Sequence, residues 1–110
     1  MSKIKTNVST KKLSIKGKYN EFSDFYDVNK VIIYQNILKL FKTFEDKEKN
    51  TLVLTISAKI KNIEWETDLK FTRDEINVLK RDIMPYFEEI EDYETCGEIC
   101  ELYTSLKEKK

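Results

Sequence analysis

Twenty residues in the middle of the chain restrict its fold more than anything else in it. Leu52, Leu54, Ile56, Ala58 and Ile60 alternate with Val53, Thr55, Ser57 and Lys59, and Ile63, Trp65, Thr67, Leu69 and Phe71 alternate with Glu64, Glu66, Asp68 and Lys70. A period of two is the mark of a half-buried strand. With Lys61-Asn62 as a two-residue turn, Ile60 faces Ile63, Ala58 faces Trp65, Leu54 faces Leu69 and Leu52 faces Phe71. Lys59 then meets Glu64 on the other side. This register makes one face almost wholly apolar, and a slip of one residue would turn every side chain to the wrong face. Lys-Asn is not the favoured turn pair, because both central residues of such a turn need positive φ, and a slightly longer turn would also serve.

Around this hairpin the periodicity is helical. From about Asp24 to Lys47, Ile33, Tyr34, Ile37, Leu38, Leu40, Phe41 and Phe44 share one broad face, with Gln35, Asn36, Lys39, Lys42 and Thr43 opposite. A stripe that wide suits a helix laid across a sheet. Ser23 or Asp24 is expected to cap its start. After the hairpin, Thr72-Arg73-Asp74-Glu75 is a capping box. Ile76, Leu79, Ile83, Tyr86, Phe87, Ile90 and Tyr93 then keep one stripe through Pro85, which predicts a single kinked helix. Thr95-Cys96-Gly97-Glu98 reads as a second capping box, followed by Cys96, Ile99, Cys100, Tyr103 and Leu106 facing inward.

At the N-terminus, residues 1–12 form a basic segment, a flexible arm or a weak edge strand. Leu13 and Ile15 alternate as a short strand before Gly17 and Asn20. The expected fold is α+β, with residues 13–110 as one domain. A small antiparallel sheet, made of the hairpin 51–71 and the short N-terminal strand, is covered on one face by the long helix and a C-terminal helical pair. At 110 residues there is room for one core. No apolar run reaches the length of a membrane span, and no secretory signal is read in the first residues. Two cysteines one helical turn apart make no disulfide framework, so a reducing cytoplasm is the expected setting.

Histidine is absent and there are only two glycines. The commonest general base and metal ligand is therefore missing, and no glycine-rich loop can cradle phosphate. Cys96 and Cys100 lack the further ligands that zinc requires, so they read as core residues and no cofactor is expected. Glu66, Asp68 and Lys70 share one strand face and resemble the acid-x-lysine element of Mg²⁺-dependent nucleases. That chemistry also needs an acid from the neighbouring strand, and residues 51–58 hold none. A solvated strand face is the preferred reading.

Charged residues make up 36% of the chain, above the usual quarter, with no net charge but with marked segregation. Residues 1–20 carry Lys3, Lys5, Lys11, Lys12, Lys16 and Lys18 and no acid. Residues 88–101 carry Glu88, Glu89, Glu91, Asp92, Glu94, Glu98 and Glu101 and no base. The lysine segment could contact phosphates, yet nucleic-acid binders usually show a large positive excess and arginines for base edges. The acidic run is the better candidate for partner binding, with solubility as its plain alternative. Val28, Ile32, Val78 and Met84 fall outside the apolar stripes and are expected at the surface. Val28 and Ile32, with Lys11 and Lys12, are secondary candidates for contact.

These features lead to the expectation of a non-enzymatic binding protein, a small regulator or inhibitor of the kind phages and mobile elements carry. It would dock an acidic helical surface on a basic, nucleic-acid-binding protein. It would bind nucleic acid weakly or not at all, have no membrane association, and act as a monomer or homodimer. The alternatives are a nucleic-acid accessory protein using the lysine arm and a metal-dependent nuclease.

Overall fold

A computed structural model describes residues 8–46 and 49–108 of the protein. The chain forms strand β1 (Val8–Ser14), helix α1 (Phe22–Lys42), strands β2 (Thr51–Ile60) and β3 (Ile63–Thr72), helix α2 (Met84–Glu89) and helix α3 (Tyr93–Glu108). It is a small α+β fold: one three-stranded sheet in the order β1-β2-β3 with helices on one face.

The hairpin has the register that its alternation demands. Leu52 pairs with Phe71, Leu54 with Leu69, Ala58 with Trp65, Lys59 with Glu64 and Ile60 with Ile63. Lys61 and Asn62 take φ of 57° and 64°, so the two-residue turn forms with both central residues left-handed. Leu52, Leu54 and Ile56 are completely buried. Trp65 is half-buried, with Phe22, Phe25 and Tyr26 of α1 meeting its ring edge-on at centroid distances of 5.0, 5.6 and 6.3 Å.

The expected antiparallel sheet is in fact mixed, because β1 runs parallel to β2. The reason lies in α1. Its 21 residues span about 32 Å, enough to carry the chain back along the length of a strand, so β2 starts at the end where β1 started. β1 also begins earlier than expected: residues 8–12 of the basic segment are in the strand. Lys3 and Lys5 lie outside the described residues.

Between β1 and α1 the chain leaves the sheet at Lys16-Gly17-Lys18 and returns at Tyr19, whose carbonyl accepts the Lys61 amide at 2.8 Å. Gly17 has φ of 138°, and a Cβ there would lie 2.9 Å from the Tyr19 hydroxyl, so glycine alone fits this step. The Tyr19 hydroxyl accepts from Asn29 Nδ2 at 3.2 Å. Asn29 is buried, and its Nδ2 also donates to the Phe25 carbonyl at 2.9 Å. Asn36, expected on the polar side, is buried too and donates to the Ile32 carbonyl. Local bonds of this kind let a helix bury an amide without leaving it unpaired. Neither Ser23 nor Asp24 caps α1. The helix starts at Phe22 after Glu21, which gives no side-chain cap.

The C-terminal region departs further from expectation. The Thr72/Glu75 capping box forms, but it opens a single 3₁₀ turn, Arg73–Glu75. A π-helical turn, Leu79–Ile83, then leads into α2. Pro85 offers no amide to the Arg81 carbonyl, and the wider turn accommodates the loss, with the Met84 amide reaching back to Leu79. The helix does not continue to Tyr93. It stops at Glu89, and Glu91 turns left-handed at φ 62°. Asp92, not Thr95, caps α3: its carboxylate accepts the Thr95 amide at 3.2 Å and the Thr95 hydroxyl at 2.7 Å. Ile90 and Tyr93, expected in the core, therefore stand at an exposed corner. Val78 and Met84, expected outside, are half-buried against the core, and Leu102 joins Cys96, Ile99 and Leu106 inside.

Candidate functional site

The corner between α2 and α3 gathers the features most suited to contact. Ile90 is 46% and Tyr93 66% exposed, and Glu88, Glu89, Glu91 and Glu94 around them are exposed as well. Neither lysine nor arginine occurs from Glu88 to Leu106. From the corner, Glu94, Glu98, Glu101 and Glu108 follow at helical spacing along the outer face of α3, opposite Cys96, Ile99, Leu102 and Leu106. Glu108 extends the acidic stripe beyond the seven residues picked out by charge counting, which stopped at the last uninterrupted acid.

The seven acids do not have one role. Asp92 is half-buried and is the α3 cap, and Glu94 lies in the first helical turn, where a negative charge meets the positive end of the helix dipole. Part of the acidity thus stabilises α3. Glu88 and Asp92 both act electrostatically on Cys96. Burial pushes the Cys96 thiol up, and the Glu88 and Asp92 carboxylates push it the same way, followed by the Cys100 thiol. Cys96 is therefore a protonated core thiol at neutral pH. Its sulfur faces the Met84 carbonyl at 3.9 Å, and the Cys100 sulfur lies 3.7 Å from the Met84 sulfur.

The other candidates are dispersed. Val28 (69% exposed) and Ile32 (44%) are four residues apart on the outward side of α1. Lys12 lies on the outer face of the sheet beside Thr55, whereas Lys11 lies on the helix-facing side beside Leu54, half-buried. Glu66, Asp68 and Lys70 are level with Ser57, Thr55 and Val53, so β2 brings no carboxylate to them. Asp68 instead accepts the Thr55 hydroxyl at 2.7 Å. Among the described residues no three His, Cys, Asp or Glu side chains converge as metal ligands would.

Both arginines are engaged. Arg73 donates to the carbonyls of Lys49 (2.8 Å), Phe44 (2.7 Å) and Asp46 (2.8 Å), and its guanidinium lies 4.9 Å from the Phe44 ring centre. It ties the α1–β2 connection to the start of the C-terminal region, a role that sequence reading missed because its acceptors are backbone atoms remote in the chain. Arg81 pairs with Asp82 at 2.9 Å, with both side chains exposed. No helix of the described residues is long and apolar enough to cross a membrane. No family model, curated protein or solved structure matches the chain.

Proposed function

We propose that the protein is a non-enzymatic binding module, a small regulator or inhibitor of the kind mobile elements carry, acting in a reducing, cytoplasmic setting. It docks the α2–α3 corner on a basic partner protein that itself handles nucleic acid. The observation that carries this reading is the exposure of Ile90 and Tyr93 in a segment whose flanking Glu88, Glu89, Glu91 and Glu94 are exposed too. Aromatic and apolar anchors surrounded by charge are the usual anatomy of a specific interface, in which the anchor supplies affinity and the rim supplies steering. A rim that needed only solubility would mix the two signs. The engagement of Arg73 and Arg81 supports a protein partner over direct base reading.

The test replaces Glu88, Glu91, Glu98 and Glu101 by lysine, leaves Asp92 and Glu94 at the start of α3 intact, and adds Tyr93→Ala as a separate variant. Both should keep the wild-type fold by circular dichroism. The charge variant should lose capture of the basic protein that the wild type retains from native lysate, and Tyr93→Ala should retain it more weakly. A folded charge variant with unchanged capture would reduce the acidity to solubility and α3 capping.

A further inference from the structure

The three-stranded sheet ends in two edges of opposite character. β2 lies between β1 and β3, and among the described residues nothing pairs with the outer side of either edge strand. Unpaired edges offer free amides and carbonyls to another strand, and proteins usually blunt them with charge. Here the charges differ in sign. β1 carries Lys11 and Lys12 and no acid. β3 carries Glu64, Glu66 and Asp68 against a single Lys70. Two β1 edges repel one another, as do two β3 edges, because like charges would face each other across the ladder. A β1 edge and a β3 edge attract. Guards against all pairing would share one sign, whereas opposite signs exclude only like edges, which is how an interface selects a partner.

The register strengthens the match. Across the outer face of the sheet, Lys12, Thr55 and Asp68 lie in one row and Ser14, Ser57 and Glu66 in the next. Each of these rows begins at β1 with a base or a hydroxyl and ends at β3 with a carboxylate. A second copy set beside the first, with no shift along the strands, places its Lys12 next to Asp68 and its Ser14 hydroxyl next to Glu66. Thr10 of that copy falls next to Lys70, so no like charges meet. On the helix-facing side, Leu13 of the copy falls beside Thr67 and its Lys11 beside Leu69, where the lysine stem can cover the leucine. β1 is parallel to β2 and β3 antiparallel to it, so an unflipped copy presents β1 antiparallel to β3, the more stable of the two ladders.

We propose that this protein assembles with copies of itself edge to edge, the β3 edge of one chain pairing antiparallel with the β1 edge of the next in the unshifted register. The contact is heterologous, so it propagates as an open sheet-continuing filament unless the sheet twist closes it into a ring. It uses neither Ile90 nor Tyr93 and stands independently of the corner reading.

The experiment measures mass by sedimentation and light scattering, up to millimolar protein, at low and at high salt. The wild type should grow with concentration at low salt and shrink as salt rises, since the ion pairs are exposed and screened. Lys11→Glu with Lys12→Glu makes both edges acidic, and Glu66→Lys with Asp68→Lys makes both basic. Each variant alone should remain monomeric, and an equal mixture of the two should assemble again, because each supplies the edge the other needs. Glu64→Lys with Glu66→Lys, which leaves three lysines against one acid on β3 and keeps the Thr55–Asp68 bond, carries the basic arm of the test if loss of that bond unfolds the first basic variant. A wild type that stays monomeric at millimolar concentration in low salt overturns the proposal. So does assembly of either folded variant by itself to the wild-type extent, or a mixture of folded variants that stays monomeric.

Discussion

The hairpin and the C-terminal helices are of similar length and comparably apolar, yet the first could be placed residue by residue and the second could not. In the hairpin the nine pairs from Leu52–Phe71 to Ile60–Ile63 all bear on one binary question, which face is inward. The strain of Lys61 and Asn62 in left-handed backbone is outweighed because a one-residue slip would turn Trp65, Leu69 and Phe71 away from the face on which Leu52, Leu54 and Ile56 are buried. In the helical region the apolar stripe constrains phase but says little about where a helix stops. One left-handed residue, Glu91, and one carboxylate, Asp92, decide that. Ile90 and Tyr93 moved from expected core to surface through those two positions alone.

The sharpest way to break this contrast is to cut into the shared register. Leu54→Ala removes a completely buried side chain from the central strand and should cost about 2–5 kcal/mol, read from the urea midpoint. A loss below about 1 kcal/mol, a level typical of less buried sites, would mean the pairings are not mutually supporting. A smaller effect tests the corner. Asp92→Ala should cost about 1 kcal/mol by removing the α3 cap, and Thr95→Ala should cost clearly less, since Thr95 is a guest of that cap. The reverse order would restore Thr95 as the helix start. The smallest effect is a gain. Lys61→Asn places a residue that tolerates left-handed backbone at φ 57° and should raise stability by about 0.5 kcal/mol, seen as a small rise in melting temperature. No gain there would show that the turn is not under the strain its dihedrals imply.

The candidate sites divide in the same way. The segregation of charge was legible because it needs only counting: lysines toward the start, carboxylates from Glu88 to Glu101. That Val28 and Ile32 would be exposed followed from helical phase. Three things were not legible. Asp92 reads as one acid among seven until its geometry shows a cap. Arg73 reads as half of a sparse basic complement until three carbonyls converge on it. The lateral rows that join Lys12 to Asp68 exist only once β1 takes its place against β2.

By itself, then, the sequence determined the hairpin and its register, the long helix, the α+β class and the polarity of charge. Each of these rests on interactions close in the chain or on a repeated pattern whose many votes add. Tertiary structure alone decided the direction of β1, the burial of Asn29 and Asn36, the break at Glu91 and the exposure of Ile90 and Tyr93. Those outcomes depend on single side-chain hydrogen bonds and on how far α1 carries the chain before it returns, and one such bond is worth about a kilocalorie, too little to leave a periodic trace in the sequence.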